Sequence, residues 1–124
     1  MTGLTLDTGA LIARARRHAR ATATLRRANE RRVLLTVPVV ALTEWWRGRS
    51  DWREKIRGAF TVEPMDEALA RTAGEAIAAV RGATAIDAIV VASAARHGDV
   101  ILTSDPGDLV RLADWFGGVR VVTA

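Results

Sequence analysis

The 124-residue sequence contains no cysteine. That excludes disulfides and thiolate metal sites, and it is compatible with a reducing cytoplasm, where the chain is expected to reside. No apolar run approaches the roughly 20 residues that a membrane-spanning helix needs, so no membrane partner is expected. Near the start, Asp7 and Gly9 stand where a secretory leader would carry its basic segment and hydrophobic block, and no signal peptide is expected. Lysine is nearly missing: Lys55 is the exception among 18 basic residues, and the rest are arginine, whose planar fork of donors suits phosphate. Internal repeats, low-complexity tracts and linkers are also absent, and the length fits one domain over residues 1–124.

The apolar share of 49% and mean hydropathy of +0.09 suit a soluble globule with a single core. The net charge of +4 is unevenly placed: residues 1–57 carry 13 basic against 5 acidic residues, and residues 58–124 carry 5 against 9. The front half is therefore cationic. Arg14, Arg16, Arg17, Arg20, Arg26, Arg27, Arg31 and Arg32 mostly fall outside the apolar stripe of their segment. An RNA backbone, an acidic partner or water alone would meet them there, and charge by itself does not choose among these.

Read in order, Leu4 and Leu6 alternate with Thr5 as a strand that ends at Asp7. Thr8 to about Arg32 reads as two helices or a bent one, with Leu11 and Ala15 on its packing face and His18 left unassigned. The run from Val33 to Val37 predicts a strand, with Pro38 at the first position of the next helix. On that helix Val40, Thr43 and Arg47 share a face with Glu44. Trp45 and Trp46 read as core or dimer packing more readily than as a base-stacking surface. A break at 48–51 precedes a helical stripe of Trp52, Ile56 and Phe60, and then a short extended stretch at Val62–Met65. Asp66 is placed as the N-cap of a helix running to about Arg81, packed through Leu69, Ala73, Ala76 and Val80. Glu63, Asp66, Glu67 and Glu75 are read as solvent or capping acids. After a break at Gly82–Thr84, Ala85 to His97 predicts the most apolar and most central helix. Gly98-Asp99 turns into a buried strand at Val100–Thr103. Asp105 reads as a cap before Pro106, and Asp108 as a capping-box acid, a ligand or, preferentially, a supporting group. Val119–Val122 is expected as an edge strand.

Alternation of strands and helices argues for a mostly parallel sheet sandwiched between helical layers, with ligands gathering beyond the carboxyl ends of the strands. Four acids share apolar surroundings: Asp7, Glu44, Asp87 and Asp105. Each has an ordinary reading as a cap or a solvated helix acid. If they converge without a cation they repel one another and raise their own pKa values, whereas Mg2+ or Mn2+ takes oxygen ligands of this kind.

The segments Leu6-Asp7-Thr8-Gly9-Ala10-Leu11-Ile12, Val37-Pro38 through Thr43-Glu44-Trp45-Trp46-Arg47-Gly48, Asp87 through Ala94, and Leu102-Thr103-Ser104-Asp105-Pro106-Gly107-Asp108-Leu109 resemble, in order and over nearly the whole chain, the acidic motifs of PIN-domain ribonucleases, especially VapC-type toxins. The resemblance implies a PIN-like three-layer α/β/α sandwich and Mg2+- or Mn2+-dependent endoribonuclease activity. It also implies a cognate VapB-type antitoxin and a homodimer. Asp7, Glu44, Asp87 and Asp105 are the expected catalytic and metal-binding residues, Thr103, Ser104 and Asp108 the supporting ones, and Arg47 a contact to the RNA substrate. A catalytically silent PIN-like scaffold that binds RNA or a protein is the alternative. Asp7-Thr8-Gly9 also matches the signature of dimeric aspartic proteases, but that chemistry needs a β-rich dimer and this chain is patterned for helices. A haloacid-dehalogenase phosphatase would want an acid where Gly9 stands.

Overall fold

The computed structural model describes residues 2–47 and 53–124. The expected break at 48–51 and the first stripe residue, Trp52, lie outside the described residues. Five strands, β1 (Leu4–Leu6), β2 (Leu35–Pro38), β3 (Thr61–Glu63), β4 (Val100–Thr103) and β5 (Val121–Thr123), form one sheet in the order β3-β2-β1-β4-β5. Every pairing in it is parallel. The helices are α1 (Thr8–Ala15), α2 (Ala19–Glu30), α3 (Val39–Trp46), α4 (Arg53–Arg57), α5 (Glu67–Ala79), α6 (Ala85–His97) and α7 (Gly107–Phe116). The right-handed rule for parallel crossovers assigns α1 to α4 to one face and α5 to α7 to the other, and α1 packs on α2 and α3 while α5, α6 and α7 pack on one another. The result is the expected α/β sandwich.

From the central strand β1 the chain steps through α1 and α2 to β2 and then outward to β3, while from β4 it steps through α7 to β5 on the other side. The connections leaving β1 and β4 diverge, and the crevice between them opens beyond the carboxyl ends of the two strands. Asp7 follows β1 directly and Asp105 lies two residues beyond β4. Strand side chains Leu6, Val37, Ile101 and Leu102 are sealed from solvent between helical side chains such as Leu11, Val90, Val91 and Leu112. α6 is apolar almost all round and touches both other helices of its layer and three strands, which accounts for its lack of a polar face.

Several expected boundaries shift for local reasons. Val33 and Leu34 precede the strand rather than opening it, and Leu34 is 62% exposed. Residues 31–33 are still leaving α2, with Arg32 at a left-handed φ of 57° and the Val33 N–H donating to the Ala28 carbonyl at 2.9 Å. Pro38 ends β2 and occupies the N-cap position of α3 instead of its first turn. Phe60 is buried but lies beyond α4, in the turn where Arg57 donates to its carbonyl at 3.0 Å. The final strand begins at Val121, two residues late, because Gly117 and Gly118 carry the chain out of α7 at positive φ. Trp45 joins the core, meeting Phe60 edge to face at 6.4 Å, while Trp46 is half-buried under the Arg53 guanidinium.

Glu63 corrects the reading of the acids around it. Rather than facing solvent, its side chain is 8% exposed at the end of β3, paired with both Arg96 and His97. Arg96 continues to Asp66 at 2.8 Å, and Asp66 caps α5 as expected by accepting from the Leu69 N–H at 2.8 Å. Burial works to raise the Glu63 pKa, but hydrogen bonds from Arg96 and His97 outweigh it and hold the carboxyl below its ordinary value. Asp99 is also buried and accepts from the Thr5 hydroxyl at 2.9 Å, tying the α6–β4 turn to β1.

Candidate active site

Asp7 stands at the junction of β1 and α1. As N-cap of α1 it accepts from the Ala10 N–H through Oδ1 at 2.8 Å, and through Oδ2 it accepts from the Thr103 hydroxyl at 2.6 Å. Thr103, the fully buried last residue of β4, in turn accepts from the Asp105 N–H at 3.0 Å. One hydroxyl thus couples the carboxylate after β1 to the loop after β4. Gly9 lies close against the same loop: an added Cβ would come within 2.5 Å of the Ser104 Oγ, which would have to rotate away. Ser104 is exposed in that loop.

Asp87 arrives from the opposite layer. Thr84 caps α6 by accepting from the Asp87 N–H at 3.2 Å, which fixes the first turn and its acid. In sequence Thr84 stands in the break at Gly82–Thr84. The signal was present, because a threonine three residues ahead of an acid and an apolar run is an N-terminal capping pattern. Glu44 comes from α3, with its side chain 35% exposed and paired to Arg47 at 3.2 Å. α3 is held beside α1 partly through the Thr8 hydroxyl, which donates to the Ala41 carbonyl at 3.4 Å. Asp105 and Asp108 are exposed, and Pro106, not Asp105, holds the N-cap position of α7. Asp108 forms no capping box; it pairs with Arg111 at 2.7 Å, and Arg111 also donates to the Arg81 carbonyl.

These residues share one cavity of ≈340 Å3, lined by Asp7, Glu44, Asp87, Asp105 and Asp108 together with Thr8, Gly9 and Thr84. Five carboxylates therefore face one space at the crevice that the topology creates. Their charges are felt: burial pushes the Asp7 carboxyl above its ordinary value, the Thr103 and Ala10 bonds oppose the rise, and Asp87 and Asp105 add to it. Burial likewise raises Asp87, against the hydroxyl of Thr84, with Asp108 and Asp105 contributing in the same direction. All the donors are oxygen, and the mutual repulsion is what a hard divalent cation would relieve. Among the described residues no three His, Asp or Glu side chains stand together as a ready-made metal cage. Few protein ligands completed by water is the mode that suits Mg2+. The described residues also contain no helix long and apolar enough to cross a membrane.

The sequence profile of the PIN domain matches residues 4–114, and the chain belongs to the PIN domain family. A search of curated proteins finds no match. Among solved structures, the chain is similar to a DNA-bound VapBC from Salmonella typhimurium, with 18% identity, a TM-score of 0.72 and coverage of 99% of this chain and 98% of that one. A toxin-antitoxin complex from Klebsiella pneumoniae gives 19% identity, a TM-score of 0.75 and coverage of 98% and 97%. VapBC2 from Rickettsia felis, bound to a promoter DNA fragment, gives 11% identity at a TM-score of 0.75 with 98% of both chains covered.

Proposed function

We propose that the protein is a divalent-metal-dependent endoribonuclease, the toxin of a VapBC-type toxin-antitoxin pair. The observation that carries the reading is the single cavity lined by five carboxylates at the ends of β1 and β4, in a PIN domain whose structural neighbours are toxin-antitoxin complexes. Asp7, Asp87 and Asp105, with Glu44, would hold Mg2+ or Mn2+ directly or through water. Bound there, such an ion supplies an acidified water and neutralises charge on the phosphate being cut.

The side chains have separable tasks. Asp7 is fixed by two hydrogen bonds and gives the cavity a carboxylate that cannot swing away. Asp87 brings a second charge from the α6 terminus, whose own dipole favours an anion. Glu44 sits on the solvent side, suited to orienting the attacking water, and its partner Arg47 is 81% exposed and available to an RNA phosphate. Thr103 sets the position of Asp7, and Asp108 with Arg111 braces the α7 wall. The partners of this reading are RNA, a VapB-type antitoxin and a second copy of the chain, all in the cytoplasm. The alternative is a PIN scaffold that binds RNA or a protein without cutting.

Expression of the wild type without antitoxin should slow growth and produce discrete RNA fragments, and Asp7→Asn should do neither. Normal growth with intact RNA under wild-type expression would refute the toxin reading.

A further inference from the structure

The arginine that braces the α7 wall reaches beyond its own helix. Arg111 uses the two ends of its guanidinium separately: Nη2 donates to Asp108 Oδ1 at 2.7 Å, one turn back on α7, and Nη1 donates to the Arg81 carbonyl at 2.6 Å, 30 positions away in the chain. That carbonyl belongs to the turn between α5 and α6. The Ala83 N–H donates to the Val80 carbonyl at 3.2 Å, and Gly82 sits third in the turn at a φ of 81°. The Arg81–Gly82 peptide is therefore the central one, whose carbonyl the turn itself leaves without a donor. Arg111 supplies that donor. It also lies close over the turn, with Nη2 3.7 Å from where a Cβ on Gly82 would stand.

We propose that Arg111 is a positioning residue for the ion site: by tying α7 to the turn that leads into α6, it fixes the spacing of the Asp108 and Asp87 carboxylates so that one divalent ion meets both, directly or through water. The inference rests on the metal-dependent reading above and extends it to a residue outside the carboxylate set. Asp108 and Asp87 line the same cavity from the first turns of two different helices. From Arg81 the chain runs straight to Thr84, whose hydroxyl accepts from the Asp87 N–H at 3.2 Å. One guanidinium thus acts on Asp108 by a direct bond and on Asp87 through a short, hydrogen-bonded turn. The two acids feel each other, and the Asp108 charge acts on the Asp87 carboxyl more strongly than that of Asp105. Like charges so placed push their walls apart unless a bridge holds them.

Folding stability does not account for the arrangement. The Arg111 and Asp108 side chains are 48% and 54% exposed, and an exposed pair three residues apart on a helix contributes little. Such a pair also needs only one end of the guanidinium. The other end goes to a carbonyl on a separate element, which is what spans the two walls. On the acid, the bond engages Oδ1 and leaves Oδ2 for an ion or its water.

The test is Mn2+ binding by the purified protein at neutral pH without RNA, read from the loss of the free-ion EPR signal, beside the Tm of each variant. Arg111→Lys keeps the charge and lacks the planar fork that meets two acceptors at once. It should bind Mn2+ about tenfold more weakly, the low end of the ~10–100-fold that losing the partner of a metal ligand costs, with a Tm close to that of the wild type. Arg111→Gln should also bind more weakly, although removal of a cation by itself strengthens the pull of the site on Mn2+. Wild-type affinity in Arg111→Lys with tighter binding in Arg111→Gln would make Arg111 a charge and nothing more, and would overturn the positioning role. Unchanged affinity in both variants with a lowered Tm would make it a structural brace and overturn the role equally, leaving the ion reading in place. A wild type with no saturable Mn2+ binding would overturn the ion reading itself, and the role of Arg111 with it.

Discussion

The Thr103 hydroxyl donates to Asp7 Oδ2 at 2.6 Å across the gap between β4 and β1, and it is the stronger of the two hydrogen bonds that oppose the rise of the Asp7 pKa. Removing it with Thr103→Val leaves a buried carboxylate short of a donor. The expected cost is about 1–3 kcal/mol, the usual penalty for an unsatisfied buried partner. The acidic limb of the pH–cleavage profile should move to higher pH, because Asp7 then ionises less readily. An unmoved limb with a lowered Tm would mean that Thr103 is structural only.

Asp7→Asn should trade activity for stability. An acid whose folded-state pKa is raised costs the native state free energy wherever it is ionised, and the cost disappears as pH falls through the raised value. Asn keeps the capping geometry. Hence the variant should match or exceed the wild type near neutral pH. The difference should close in acid. Added Mg2+ or Mn2+ should raise the Tm of the wild type and leave the variant unmoved, and thermal unfolding with and without the ion reads both effects. A lower neutral-pH Tm for the variant would contradict this account of Asp7.

Glu63 behaves in the opposite sense. Its carboxyl is held below the ordinary 4.5 by Arg96 and His97, so its contribution is complete above that value and is lost as pH falls through the lowered one. Glu63→Gln should cost about 1–3 kcal/mol near neutral pH, less than the 3–5 of a fully buried pair because Arg96 and His97 are partly exposed. Urea titrations from neutral to strongly acidic pH should show the two proteins converging in acid. A gap that stays constant with pH would place the effect elsewhere.

Gly9→Ala should be destabilising by no more than about 1 kcal/mol, because the Ser104 Oγ that an added Cβ would meet at 2.5 Å ends an exposed side chain that can rotate away. Adding Ser104→Ala removes the obstructing atom, so the double variant should recover much of the loss in a double-mutant cycle. Additive losses would show that Gly9 is needed for something other than this contact.

The order of elements was legible because the chain states it locally. Asp66 and Gly98 cap their helices through their own backbone and side-chain chemistry, and α6 was delimited to the residue because a run of small and β-branched apolar side chains ends in Arg96, His97 and glycine. What the sequence hid depends on partners distant in the chain. Thr103 reads as an ordinary strand residue until β4 lies beside β1, and its bond to Asp7 spans 96 positions. Glu63 looks like one more surface acid until α6 brings Arg96 and His97 against β3. Apolar surroundings and the resemblance to PIN-domain motifs single out Asp7, Glu44, Asp87 and Asp105, while the geometry adds their unequal footing: Asp7 is 9% exposed and doubly bonded, and Asp105 faces solvent.

The central claim is that the carboxylates beyond β1 and β4 cut RNA with a divalent ion. Its most direct test is cleavage of total cellular RNA by purified, antitoxin-free protein in Mg2+ or Mn2+, beside an EDTA control and Asp7→Asn. The account predicts discrete fragments that vanish in both controls. Intact RNA in the presence of folded wild-type protein and metal would contradict it and leave the binding scaffold as the reading of the fold.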